Sequence, residues 1–458
     1  MRFTTRSALA GLSVLLLAQP SQATNGYFTH GVGAESKGMA GTGVGSDAGM
    51  NAIIVASNPA LSVFSDDGWE VAMGIFSPLR SYSASESQIN GQFGAFTIGA
   101  GEFDSSSNYF LIPNVSKNWH LDDDRALTFL FYGRGGMNTD WDDPNASASF
   151  DPDGPGPAEV GTFPGPFGAG NAGVNLSQAF ITLNYASKAS ENFAWGVGPI
   201  FAIQMFKADG VGSFAGYTRT FAASGGTTLP TALTNNGKSS SYGWGFGAGL
   251  WWGITDDLSA GLSYQSTLSM GEFDDYADLF AQSGGFDIPS SIKLGLSFKA
   301  SDAVRLNFDI ENTHYSEVDS VGNPMAYIAD CPTAGLGGTD VESCLGGARG
   351  AGFGWDDMTT YKFGVEWRAN ATYTWRFGYS QGDQPIQAAD AVFNILAPGV
   401  IEQHFTVGMT KHGTSSGDWI VSFMYAPENT VNGANMMDPT QTIGLTMHQF
   451  ELEVAYHW

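Results

Sequence analysis

The residues able to do chemistry are few and poorly grouped. Seven histidines are scattered over 458 residues. The chain has no HExxH motif and no zinc-ligand spacing. Gly41-x-Gly43-x-Gly45 is not a dinucleotide fingerprint, because no strand precedes it and no crossover unit follows. Asp151-Pro152-Asp153-Gly154 opens like a calcium loop but lacks the later ligand positions. These observations predict no enzyme, no cofactor and no bound metal. Cys331 and Cys344 are the only two cysteines. They lie close together in a polar, glycine-rich stretch, and in an oxidising compartment such a pair most simply forms a loop disulfide.

The elements around these residues begin with a leader. Arg2 and Arg6 form a positive start, Ala8 to Ala18 a short apolar run and Ser21-Gln22-Ala23 a small-x-small cleavage site, so residues 1–23 read as a secretory signal peptide. After Ala23 no apolar run approaches the roughly 20 residues that a membrane helix needs. Only 14% of residues are charged, while 13% are aromatic and 61 are glycine. Soluble domains carry about 25% charged residues, so this composition suggests a surface that faces lipid. The formal net charge is −26, and losing the two leader arginines makes it more negative still. Such a chain lacks the basic patches that nucleic acid requires. The acids cluster in segments such as Asp140–Asp153 and Glu272–Asp278, which read as solvated loops.

From Trp69 onward, apolar and polar residues alternate with period two. In the last segment Phe450, Leu452, Val454, Tyr456 and Trp458 share one face, and Gln449, Glu451, Glu453 and His457 share the other. Tyr361, Phe363, Val365 and Trp367, then Tyr373, Trp375, Phe377 and Tyr379, repeat the pattern, with aromatics at the ends of the apolar faces. Fourteen strands are predicted, near 68–83, 106–118, 126–141, 175–187, 192–207, 241–254, 258–270, 288–299, 304–317, 358–368, 371–382, 402–412, 418–427 and 447–458. Their connections alternate strictly between short turns and long loops, and the longest loops span about 142–174, 208–240 and 318–357. A two-sheet sandwich also alternates, but short turns at one end and long loops at the other belong to a transmembrane barrel. Closure is required because no backbone group is left unpaired in hydrocarbon. The predicted fold is therefore all-β, a 14-stranded antiparallel transmembrane β-barrel over residues 65–458. The terminal Trp458 is a position at which barrel-assembly machinery commonly reads an aromatic residue.

Residues 24–64 fit no strand. They are rich in glycine and small side chains, and ordering each residue costs roughly 1–2 kcal/mol of backbone entropy. Such a segment needs a wall around it and reads as a hatch, or plug, inside the barrel.

The sequence resembles the FadL family of outer-membrane transporters of long-chain fatty acids and, in relatives, aromatic hydrocarbons. The resemblance is carried by Gly33–Gly45, Asn58-Pro59-Ala60 before the first strand, Ile112-Pro113-Asn114 in the second and the aromatic terminal strand. It implies a Gram-negative outer-membrane protein, surrounded by lipid and lipopolysaccharide, whose partners are hydrophobic small molecules. It further implies capture at outer loops, binding beside the hatch near Tyr27 and Phe28, a small hatch movement and lateral exit at a kink in the third strand. Gly133, Gly135 and Gly136 are the candidates for that kink, since strand glycines mark bulges. The loops after strands five and seven would form the capture groove, through Phe214, Tyr217, Phe221, Leu279 and Phe280. These residues could equally pack the loops on themselves. A carboxylate ligand would favour a basic group in the lumen, with Arg134, Lys293, Lys362 and Arg376 as candidates. Each could instead pair with a lumen acid such as Glu366. In the sixth strand Gly243, Gly245, Gly247 and Gly249 face the lumen, either to admit another backbone or to ease curvature. The rival functions are a diffusion porin for small polar solutes and uptake of aromatic or alkane hydrocarbons by the same route.

Overall fold

The computed structural model describes residues 25–152, 159–413 and 417–458. The expected leader, Thr24, part of the Asp151–Gly154 run and most of the 414–417 turn lie outside the described residues.

Fourteen strands form the wall: β1 (Gly68–Ala84), β2 (Phe110–Asp122), β3 (Arg125–Asn138), β4 (Gly173–Ser190), β5 (Phe193–Asp209), β6 (Ser239–Gly253), β7 (Leu258–Gln265), β8 (Ser291–Ser301), β9 (Val304–Thr313), β10 (Met358–Arg368), β11 (Tyr373–Gly382), β12 (Gln403–Lys411), β13 (Asp418–Asn435) and β14 (Asp438–His457). Each pairs antiparallel with its neighbours in sequence. The ring closes where β1 meets β14, from Glu70 opposite His457 to Ala84 opposite Ile443. Side-chain alternation sorts the two faces. Val71, Met73 and Ile75 of β1 are exposed outward, whereas Glu70, Ala72, Gly74 and Phe76 are buried. On β14 Leu452 and Val454 face outward, with Glu451 and Glu453 buried inside.

Several boundaries differ from the sequence expectation, among them the second strand, which runs 110–122 rather than 106–118, and the ninth, which ends at Thr313 rather than 317. The predicted loop between 427 and 447 is instead a hairpin, because β13 and β14 run on to Asn435 and Asp438. Twenty residues at about 3.3 Å each span about 65 Å, far beyond a hydrocarbon core of roughly 30 Å. The upper hairpin stands above the hydrocarbon, where the outward face is polar (Thr442, Thr446, His448) and the apolar Ile443, Leu445 and Met447 point inward, the reverse of the membrane-level pattern. β7 stops at Gln265, and only Ser269–Met270 rejoins β6, opposite Gly243 and Trp244. The third strand ends at Asn138 rather than 141.

Residues 25–64 occupy the lumen as one helical turn, Ala34–Lys37, and two 3-10 turns, Ala52–Ala56 and Pro59–Val63. The wall supplies the partners that a loose segment lacks. Asp309 accepts from Gly43 N at 2.8 Å and Val44 N at 3.0 Å. Lys37 pairs with Glu451 and, at 2.6 Å, with Glu453. Arg376 binds Glu35 at 2.6 Å, and Asn58 Nδ2 donates to the Val44 and Leu250 carbonyls. Wall glycines set the distance of approach. A Cβ on Gly261 would overlap the Val44 carbonyl and come within 2.9 Å of Gly45 Cα. One on Gly45 would come within 2.8 Å of the Gly295 carbonyl oxygen. Along β6 the glycine row divides. Gly247 and Gly249 lie against Pro59 and Asn58, whereas Gly243 and Gly245 lie against the returning Ser266–Met270 segment. All four therefore admit a neighbouring segment.

Gly261→Ala is accordingly expected to unseat the 43–47 stretch and cost about 2 kcal/mol, as overpacking against backbone does. Gly216→Ala, where nothing lies within 4 Å of the added carbon, should leave the thermal midpoint unchanged. Equal midpoints for the two variants would show that the close approach does not matter.

Candidate functional site

The site begins under the long loops. An apolar cavity of about 40 Å³ is lined by Val174, Phe206, Val211, Phe214, Leu279, Phe280, Leu345, Phe353, Phe393 and Leu396, with Ser320 among the few polar groups. The loops after β5 and β7 provide Val211, Phe214, Leu279 and Phe280. The loops after β9 and β11 provide the opposite side. Loop 318–357 is stapled by the Cys331–Cys344 disulfide and tied to the β5 loop, where Leu345 N donates to the Tyr217 carbonyl at 3.0 Å.

Asp390 fastens the two covering loops together. Its carboxylate accepts from Met325 N at 2.6 Å and abuts Gly354. Burial, reinforced by nearby Asp356, raises this carboxyl from the usual carboxylate value to about 6. The closed cap therefore binds a proton that an opened one releases between pH 4 and 6, so closure weakens as pH rises through that window. Hydrogen exchange at 325–331 and 388–396, corrected for intrinsic rates, should be slower at pH 5 than at pH 7. Asp390→Asn should remove the difference.

Below the cavity lies an aromatic cluster. The Tyr27 ring centroid is 4.9 Å from Phe28, 5.1 Å from Tyr315 and 5.8 Å from Trp355. All four side chains are buried, and Tyr315 donates its hydroxyl proton to the Asn25 carbonyl.

Arg134 stacks over Phe28 at 4.6 Å and leads into a charged centre. Glu311 of β9 receives Arg134 at 2.9 Å, Lys293 at 3.3 Å and Lys362 at 2.6 Å. Register makes Lys293 its cross-strand neighbour, whereas Arg134 reaches it from β3 on another part of the ring. Lys362 also donates to the His30 carbonyl at 2.8 Å, and Arg134 lies within 3.4 Å of the Thr29 carbonyl. Three cations share one carboxylate, leaving positive charge in excess beside an aromatic wall.

The wall is incomplete at this level. β2 and β3 pair only from Asp122–Arg125 up to Asn114–Tyr132. Beyond that, β2 stays with β1 as far as Phe110, and β3 stays with β4 as far as Asn138. Pro113, which has no N–H to give a ladder, is the first residue of β2 past the last pair. On β3 the register with β4 shifts between Gly133 and Gly135, so Arg134 occupies a bulge. Residues 27–29 of the lumen segment cover the exposed edge. Thr29 N donates to the Arg134 carbonyl at 3.1 Å, Gly136 N donates to the Tyr27 carbonyl at 2.9 Å, and Phe28 bridges Gly135.

Comparison with known families matches most of the barrel. A family model described as "Outer membrane protein transport protein (OMPP1/FadL/TodX)" matches residues 162–450. The chain belongs to this FadL/TodX family. It is an outer-membrane transporter of hydrophobic compounds, placed in the Gram-negative outer membrane. Solved structures agree on the fold. The Pseudomonas putida toluene transporter TodX is 16% identical, with 95% of this chain and 99% of that one covered and a TM-score of 0.61. A Pseudomonas aeruginosa FadL homologue is 15% identical, with 96% and 99% covered and a TM-score of 0.58. The Ralstonia pickettii toluene transporter TbuX is 14% identical, with 93% and 98% covered and a TM-score of 0.55. No curated protein matches the chain.

Within this FadL/TodX barrel the sequence-derived candidates fall into separate groups. Phe28, packed on Tyr27, meets Arg134, which joins Lys293 and Lys362 at Glu311. Arg376 stands apart, held by Glu35 and, at 2.9 Å, Glu366. Phe214, Leu279 and Phe280 line the outer cavity, whereas Tyr217 and Phe221 sit in its supporting loop without lining it. Glu311, Phe353, Phe393 and Leu396 were not singled out from the sequence. The run Ala391–Ile401, mostly apolar yet outside any strand, carries the same signal that identified the other two loops.

Proposed function

We propose that this transporter carries amphipathic hydrophobic molecules, long-chain fatty acids foremost. The observation that supports a carboxylated ligand is the set of Arg134, Lys293 and Lys362 around the single Glu311. An alkyl chain gains about 0.8 kcal/mol for each methylene moved out of water, which the outer cavity and the Tyr27–Trp355 cluster supply. The headgroup gains from excess positive charge where the surroundings are dry and the effective dielectric is low. In this scheme ligand enters beneath the outer loops and moves to the aromatic cluster. The Tyr27–Thr29 segment then peels from β3, and the ligand leaves through the β2–β3 gap into the bilayer.

The second reading is a neutral aromatic cargo, favoured by the density of rings around Tyr27 and by the names of the TodX and TbuX relatives. Purified protein should be titrated with dodecanoate, dodecan-1-ol and toluene, followed by native mass spectrometry. Preferential dodecanoate binding supports the first reading, and toluene alone the second. A large, steady ion current through the intact protein would instead favour a porin.

A further inference from the structure

The run Ala391–Ile401 belongs to no strand, yet every residue in it is buried. It opens with one helical turn, Ala391–Asn394, and then continues irregularly toward β12. A loop ordinarily lies on the surface, where water satisfies its backbone. Here Phe393 and Leu396 line the outer cavity, while Ala397, Pro398 and Gly399 border a crevice shared with Trp355 of the aromatic cluster. A Cβ on Gly399 would come within 3.1 Å of the Trp355 ring and 3.5 Å of the Gly26 carbonyl oxygen. The segment therefore fills the space between the outer cavity and the hatch.

Its attachments are those of an insert rather than of the wall. The N–H groups of Ile395, Leu396 and Ala397 bond back to the carbonyls of Val392, Phe393 and Asn394, and Gly399 N bonds to the Ala397 carbonyl. These bonds stay inside the segment, so it can shift without breaking a ladder. The ties to its neighbours come from side chains. Trp141 Nε1 donates to the Ile395 carbonyl at 3.0 Å and Thr139 Oγ1 to the Leu396 carbonyl at 2.7 Å. Asn394 anchors the helical turn, donating to the Phe353 carbonyl at 2.7 Å and accepting from Trp355 Nε1 at 2.6 Å. The spaces on either side are small. At about 40 Å³ the outer cavity holds roughly three waters, and the crevice of about 10 Å³ roughly one. An alkyl chain has no room to pass from one to the other while the segment is in place.

We infer that residues 395–399 form a second gate, an upper plug that cargo displaces before it reaches the hatch. Trp141 and Thr139 are the catches on this gate, and Asn394 is the fixed end on which it turns. The close approach of Gly399 to Gly26 joins the plug to the hatch, so displacing one loosens the seat of the other. The inference rests on the path proposed above and not on the cargo, because the plug is apolar throughout and offers no charge by which an acid would be recognised.

Trp141→Phe combined with Thr139→Val removes both catches and leaves the segment itself unaltered. Two hydrogen bonds of ordinary strength correspond to about tenfold in an equilibrium, so hydrogen exchange at 395–399 should rise about tenfold. Cells that depend on this transporter should then take up labelled dodecanoate or toluene about three- to tenfold faster. Faster exchange with unchanged or slower uptake would reduce the segment to packing and overturn the inference. The unmodified protein supplies a measurement that needs no variant to fold. Saturating dodecanoate or toluene should speed its exchange at 395–399 as well as at 25–30. Acceleration at 25–30 alone would show that cargo bypasses the segment, which also overturns the inference. If toluene enters and dodecanoate does not, the fatty-acid reading fails and this inference is decided on toluene. If neither enters, the proposed path fails and the inference with it. If the unmodified protein takes up dodecanoate and the variant is no faster, only this inference fails.

Discussion

Glu311→Gln is expected to loosen the hatch by about 3–5 kcal/mol, the usual consequence of removing one partner from a buried ion pair. The exchange keeps size and shape, so the effect isolates charge. Arg134, Lys293 and Lys362 then face one another without the carboxylate that all three contact. Two of them also approach the hatch backbone, Lys362 at the His30 carbonyl and Arg134 at the Thr29 carbonyl, so their repulsion is delivered to that segment directly. Hydrogen exchange over 25–42 should accelerate and a steady ion current should appear, while the strands remain protected. Added dodecanoate should partly reverse both changes by replacing the missing charge. A blocked, slowly exchanging Glu311→Gln protein would show that the cluster does not hold the hatch.

Deleting Thr24–Phe28 should lower ligand affinity by about ten- to a hundredfold and spare barrel assembly. Burying an aromatic or aliphatic side chain is worth about 1.5–3 kcal/mol, and the deletion removes two rings from the cluster that includes Tyr315 and Trp355. It also removes the backbone partner of Gly136 N, leaving the β3 edge unpaired beside the gap. None of the strand-to-strand ladders loses a residue, so heat-modifiable migration on gels should be unchanged. Unaltered affinity and transport after the deletion would make the segment filler rather than a gate.

Much of the wall was legible because lipid on one side and a filled lumen on the other impose a two-residue period on each strand. The upper part of β13 and β14 was not, because above the membrane the apolar face changes sides: Ile443, Leu445 and Met447 are buried while Thr442, Thr446 and His448 face out, and below them Leu452 and Val454 face lipid. Gly133, Gly135 and Gly136 marked the bulge, since glycines inside a strand weaken its ladder. The basic candidates were found by strand parity alone, which places a side chain inside but does not say what faces it. Parity therefore put Arg376 with the other three, although Glu35 and Glu366 hold it elsewhere.

The sequence by itself determined the alternation, the short and long connections, and a glycine-rich segment that could not stand alone, all of which depend on neighbours along the chain. Only the tertiary structure decided which residues meet across the lumen. Glu311 lies 177 positions from Arg134 and 51 from Lys362, and closure of the ring brings them together around it. Strand register, shear and the path of the hatch set those contacts, and each arises from the sum of many pairings around the ring.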